Sequence, residues 1–153
     1  MDALDSKILA ELQRDGRLTI TDLADRVQLS ISRCQRRLRE LERSGVIRGY
    51  HAAVDRAAIG FGFEALAFVS LRQEGQDTLA DFDEAVAAIP NVVQAQRLFG
   101  DPDYLLRVVT VDLDAYQQLY EAKLARLPGV QRISSTIVMK EVVDHRPYPT
   151  LPR

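Results

Sequence analysis

Three observations predict an α+β fold in two small domains. Apolar residues recur at helical spacing from Leu4 to Leu41, and strand-like and helix-like segments alternate twice between Ala65 and Val143. A short stretch with Gly60 and Gly62 around Phe61 separates the two patterns. The chain has 153 residues, 46 % of them hydrophobic and 27 % charged, which is globular composition for one ordinary domain or two small ones. Two small domains would each be marginal alone, so oligomerisation is a natural remedy.

Taken in order, Leu4, Ile8, Leu9 and Leu12 mark a first helix over about residues 5–14, with Gly16 as its stop signal. Thr19 and Asp22 fit a capping box for a short second helix whose apolar side is Leu23, Ala24 and Val27. Ser30 is a suitable cap for a third helix, with Cys34, Leu38 and Leu41 as its buried stripe and Gly45 as its end. Three short helices, the last rich in arginine, make a helix-turn-helix unit.

Val46 to Val54 is expected to be extended, a strand or wing leaving this head, and residues 55–62 form the connector. Beyond it come a strand (Ala65 to Leu71), a helix (Leu79, Phe82, Val86 and Ile89, stopped at Pro90) and a strand (Val92 to Phe99). A turn over Gly100 to Asp103 leads to a strand (Tyr104 to Val111) and a helix (Leu113, Tyr116, Leu119, Leu124 and Leu127). Pro128-Gly129 precedes a closing strand from Val130 to about Val143. This βαββαβ order predicts a ferredoxin-like antiparallel sheet with both helices on one face. The expected domains are therefore 1–50 (helical head), 51–62 (strand and linker), 63–145 (sheet domain) and 146–153 (a tail with three prolines).

The strands are apolar on both alternating sets: Ala65, Ala67, Val69 and Leu71 against Leu66 and Phe68, and Leu106 and Val108 against Leu105, Val109 and Val111. Two helices cover one face only, so the other is expected to pair with a second copy of the chain.

The net charge of −2 excludes a generally basic protein but hides an asymmetry. Residues 1–50 carry ten basic and eight acidic side chains, and from Arg33 to Arg48 six arginines face two glutamates. Stepping 100° per residue along the third helix, the side opposite the buried stripe carries Ser32, Arg36, Arg39 and Arg43. Arg33 and Gln35 lie on the flanks near the N-terminal end, and Arg37, also expected among the DNA-binding residues, sits close to the buried side. A charge run alone reads as a solvated face stitched by Glu40 and Glu42. After a capped helix in a three-helix pattern it reads as a recognition helix, with Ser32, Arg33, Gln35 and Arg36 toward base edges and Arg39 and Arg43 toward phosphates.

Other chemistries find little support. Cys34 is the single cysteine, which fits a reducing cytoplasm, and its place on the apolar stripe makes it a small hydrophobe rather than a redox switch. His51 and His145 stand apart from any ligand cluster, so no metal is expected. Phosphate-binding glycine loops and nucleophile–base patterns are absent, so neither a cofactor nor an enzyme is expected. No apolar run reaches the roughly 18 residues of a membrane span, and no signal peptide is visible. In the turn Gly100-Asp101-Pro102-Asp103-Tyr104, two carboxylates could meet an ammonium group. The same residues are ordinary choices for a well-made turn, and the residues alone leave the two readings level.

The segments LDSKILAELQRDGR and LADRVQLSISRCQRRLRELERSGVIRGY, followed by FGDPDYLLRV and LARLPGVQRISSTIVMKEV, resemble the Lrp/AsnC (feast/famine) transcription regulators in the same order over nearly the whole chain. That resemblance implies a bacterial or archaeal regulator of amino-acid metabolism genes, dimers that often assemble to octamers, a palindromic DNA operator and tuning by an amino acid. It favours ligand binding at the Gly100–Tyr104 turn at an interface between dimers, and hydroxyls from Ser134, Ser135 and Thr136 toward a carboxylate. Adjacent strand residues point to opposite faces, so those three cannot all line one pocket. Two rival classes stay open: an architectural DNA-wrapping protein without an effector, and an Lrp-like tetrapyrrole decarboxylase, against which the arginine-rich helix speaks.

Overall fold

The computed structural model describes residues 1–72, 76–144 and 146–149. It divides into two compact units, Val54–Glu141 and a helical unit of Met1–Ala53 joined by the chain from Val142 onward. The C-terminal segment thus groups with the head: the Gln13 amide both donates to the Tyr148 carbonyl (3.1 Å) and accepts from its N–H (2.6 Å).

The head contains α1 (Ala3–Arg14), α2 (Ile20–Val27) and α3 (Ile31–Arg43). Its core is Ile8, Leu23, Ala24, Val27, Cys34 and Leu41, with Leu38 and Ile47 packed partly against it. Helix α1 starts earlier than the apolar spacing suggests because Asp2 and Asp5 form a capping box: the Asp2 carboxylate accepts from Asp5 N–H, and Asp5 accepts from Asp2 N–H. At α2 the Thr19 hydroxyl does accept from Asp22 N–H, but the Asp22 carboxylate takes the hydroxyl proton (2.6 Å) instead of reaching back to the backbone. Ser30 holds the N-cap position of α3, yet its side chain makes no capping bond. Between α2 and α3, Gln28 adopts the left-handed conformation (φ 59°, ψ 47°) that turns the chain, a position where glycine would carry no steric cost.

The expected strand over Val46 to Val54 does not form. A strand exists only as part of a ladder, and the described chain offers this segment no neighbouring strand. Ile47 instead turns back onto the head core, with its N–H on the Leu41 carbonyl, while Val46 and Val54 stay exposed.

The second unit is β1 (Phe63–Leu71), α4 (Gln76–Ala87), β2 (Val92–Arg97), β3 (Tyr104–Thr110), α5 (Leu113–Ala122), a 3-10 turn (Leu124–Arg126) and β4 (Val130–Ile137). The sheet order is β2-β3-β1-β4 with antiparallel neighbours throughout, the expected ferredoxin-like arrangement. Ala65, Ala67, Val69 and Leu71 of β1 and Leu106 and Val108 of β3 are buried in one core with Phe82, Val86, Tyr116 and Leu124 of the helical layer. Gly129 enters β4 with φ +69° against Thr78, where a Cβ would collide with the threonine methyl.

Two strand ends differ from expectation. Strand β4 stops at Ile137, not Val143: its partner β1 begins at Phe63 and has nothing to pair beyond Met139, and the last bond runs from Val138 N–H to the Glu64 carbonyl. Met139, Val142 and Val143 beyond it are exposed. Strand β2 ends at Arg97, leaving Phe99 fully exposed before the turn.

The sheet's other face is apolar only along its middle. Leu66 and Phe68 of β1 lie across from Arg107 and Leu105 of β3 and are half-buried. Gln94 and Gln96 of β2 and Ser134 and Thr136 of β4 make polar margins. On this face the two central strands carry Leu66, Phe68, Leu105 and Val109 but also the Glu64–Arg107 pair, so the doubly apolar pattern holds there only in part and fails at the edges.

Candidate functional site

Helix α3 buries Cys34 and Leu41 and half-buries Leu38, which fixes its opposite side in solvent. Burial pushes the Cys34 thiol up, as for an inert core cysteine. Ser32, Arg33, Gln35, Arg36, Arg39 and Arg43 are all exposed. Arg33, Arg36 and Arg39 make no ion pair among the described residues, so their guanidinium forks stand open. Arg43 is paired with Glu40 at 2.7 Å, one turn back.

Arg37 differs from the rest. Its guanidinium bridges Asp2 (2.8 Å) and Asp5 (2.7 Å), tying α3 to the capped start of α1. The Asp5 backbone N–H, with Arg37 beside it, holds the Asp2 carboxyl below its ordinary value. Arg37 therefore positions the arginine face rather than belonging to it. Nothing in the sequence spacing connects Arg37 to two acids more than thirty residues earlier; only the packed helices do.

The second region lies at the far end of the β1–β3 pair. A cleft of about 810 Å³ is lined by Ser70, Leu71 and Arg72, by Gly100, Asp101 and Asp103, and by Gln131 and Arg132. Gly100, at φ +139°, makes the turn possible. Asp103 accepts the Leu71 N–H at 2.7 Å, and its carbonyl accepts from Leu98 N–H. Asp101 accepts the Ser70 hydroxyl at 3.0 Å and lies 3.7 Å from the Arg132 guanidinium. The register that sets Ser70 opposite Arg132 brings acid and base to one opening.

The other candidates sit elsewhere. Ser135 points to the helical layer, its hydroxyl 2.6 Å from that of Tyr116, while Ser134 and Thr136 lie on the sheet's other face. None of these three lines the cleft of its own chain. Tyr104 is buried against Phe82 and donates to Asp83 at 2.7 Å, supporting the turn from below. Among the described residues no group of His, Cys, Asp and Glu could hold a metal ion, and His145 lies outside them. No helix there is long and apolar enough to cross a membrane.

Burial, and then the bond to Asp83, push the Tyr104 phenol from its ordinary 10.0 up to about 12. A raised value stabilises the fold fully below pH 10, and that contribution is lost as pH rises through about 12. Tyr104→Phe is expected to cost about 0.5–1.5 kcal/mol near neutrality, as for a typical hydrogen bond, and to flatten the loss of stability at alkaline pH. Urea unfolding from pH 7 upward checks this; an unchanged alkaline slope would count against it.

Residues 1–48 match the winged helix-turn-helix DNA-binding family, and residues 64–148 match the Lrp/AsnC ligand binding domain. The Bkd operon transcriptional regulator of Pseudomonas aeruginosa is 40 % identical over 143 residues, covering 94 % of each chain. The leucine-responsive regulatory protein of Escherichia coli is 36 % identical over 142 residues, covering 93 % of this chain and 87 % of its own. A transcriptional regulator of Neisseria meningitidis, crystallised as a complex with L-Met, superposes with a TM-score of 0.90 at 37 % identity, over 99 % of this chain and 96 % of its own. With both halves of the chain matched in order, it belongs to the Lrp/AsnC family of DNA-binding transcriptional regulators.

Proposed function

We propose that this chain acts in the cytoplasm as a homodimer, assembling further toward an octamer, that places two copies of α3 on a palindromic operator of amino-acid metabolism genes. A free α-amino acid bound in the cleft at Gly100–Asp103 tunes it. The observation that carries the effector reading is the meeting of Asp101 and Asp103 with Arg72 and Arg132 around one opening. A zwitterion presents a cation and an anion a few ångströms apart, so its site needs acceptors and donors together. The two aspartates serve the ammonium; the arginines and the turn N–H groups serve the carboxylate. Ser134 or Thr136 of a neighbouring subunit completes the site, while Tyr104 braces the turn from within and Ser135 stays bonded to Tyr116. A ligand held between subunits favours the interface geometry that closes around it, which ties binding to assembly. The leucine-responsive relatives and the regulator bound to L-Met support an amino acid as the effector class.

Titration calorimetry with each of the twenty amino acids tests this. At least one is expected to bind the parent, and Asp103→Ala and Arg132→Ala are each expected to weaken it by about 1.5–3 kcal/mol, the range of hydrogen bonds to charged groups. DNA binding by the ligand-free protein should stay near parental. No binding by any amino acid, or undiminished binding by both variants, would remove the cleft from the account.

A further inference from the structure

Glu64 is the one buried charged residue among the described residues, with 3 % of its side chain exposed, and it lies on the sheet face away from the helices, in line with Leu66 and Phe68. Neither the arginine face nor the cleft uses it. Its Oε2 lies 2.9 Å from Arg56 Nε and its Oε1 2.6 Å from Arg107 Nε. Arg56 also donates to the Phe61 carbonyl at 2.8 Å, and Arg107 donates to Glu141 at 2.6 Å. A carboxylate taken out of water is tolerated only when such partners surround it, and removing one member leaves the others uncompensated.

The chain passes between its two units twice, at Ala53/Val54 and at Glu141/Val142. Arg56 follows the first crossing by two residues, and Glu141 is the second crossing itself. We propose that Glu64 is a positioning residue that fastens both connections to the DNA-binding unit at one point on the sheet, through Arg56 on one side and Arg107–Glu141 on the other. The strands that carry this anchor, β1 and β3, carry the cleft at their opposite ends, six residues along β1 or roughly 20 Å at strand rise. A change of twist in that strand pair would therefore reach both connections together. This last consequence rests on the effector reading above; the anchoring does not.

Hydrogen–deuterium exchange on the full chain tests the anchor without any ligand. In Glu64→Gln, backbone amides of residues 54–62 and 139–144 are expected to exchange about tenfold faster together, while 65–71 and 104–109 hold their parental rates. Arg56→Ala should release only the first segment, and Glu141→Gln only the second. Should Glu64→Gln fail to fold, Arg107→Lys keeps the charge but loses the paired contacts, and is expected to loosen both segments to a smaller degree. Faster exchange spread evenly over β1 and β3 would make Glu64 a plain packing residue and overturn the proposal. So would one segment loosening without the other in Glu64→Gln or Arg107→Lys.

Discussion

Replacing Arg33 and Arg36 together with alanine is expected to abolish sequence-specific DNA binding while leaving the fold intact. Both side chains are exposed near the N-terminal half of α3, the part of such a helix that reaches base edges. A well-placed arginine that bonds guanine in two places is worth about 1–3 kcal/mol of discrimination, so each single variant should lose about fivefold to 150-fold. The two stand one turn apart and share the same stretch of groove, so their losses need not simply add. Helix α3 should survive, because the residues that dock it, Cys34, Leu38 and Leu41, lie on the other side. Arg39→Ala and Arg43→Ala should behave differently, weakening all sequences alike and lowering the salt slope by about one unit each. Arg43 should show the smaller change, since it leaves Glu40 to reach a phosphate. Fluorescence anisotropy on matched specific and scrambled duplexes, with circular dichroism as the fold control, separates these outcomes. Parental specificity in Arg33→Ala/Arg36→Ala would take α3 out of the interface.

If the chain dimerises through its sheet as proposed, Phe68→Asp is expected to leave it a monomer. Phe68 and Leu66 sit in the middle of the uncovered face, beside Leu105 across the β1–β3 pair, and their neighbours on both margins are polar. An apolar centre with a polar rim is the anatomy of a protein interface. If two such faces meet around a two-fold axis, each substitution counts twice and sets carboxylates against apolar side chains. Loss of a central aromatic anchor costs about 2–4 kcal/mol, and an unpaired buried charge adds to it, so self-association should weaken by several hundredfold or more. The variant's core should be untouched, because Phe68 faces away from α4 and α5. Sedimentation equilibrium measures this directly. A monomeric parent at micromolar concentration would contradict the account, as would a Phe68→Asp protein that still dimerises.

Much of the architecture was legible because its signals are periodic. The Cys34, Leu38 and Leu41 stripe, the alternation of Ala65, Ala67 and Val69, and the stops at Pro90 and Gly129 each follow from local geometry. The misreadings came where partners decide. Val46 to Val54 has extended-strand composition, but a strand needs a neighbour, and the apolar Ile47 serves the head instead. The start of β1 at Phe63 keeps β4 from running on to Val143, a limit the β4 residues themselves do not encode. Asp2 and Asp5 look like surface acids until α3 brings Arg37 to them. The candidate cleft was half visible: the turn Gly100 to Asp103 stands out as a motif, whereas Ser70, Arg72 and Arg132 are single residues with no spacing signature. Only the register of β1 against β4 gathers them.

The central claim is that this chain is a DNA-binding regulator whose binding answers to an amino acid. A duplex selected by the full-length protein from a random library, then titrated with the protein in the absence and presence of each of the twenty amino acids, tests it most directly. The account predicts a two-fold symmetric site and at least one amino acid that shifts its affinity, with Asp103→Ala losing the shift but keeping the site. Affinity unmoved by all twenty, for protein of unchanged assembly, would contradict it and leave a DNA-wrapping protein without an effector.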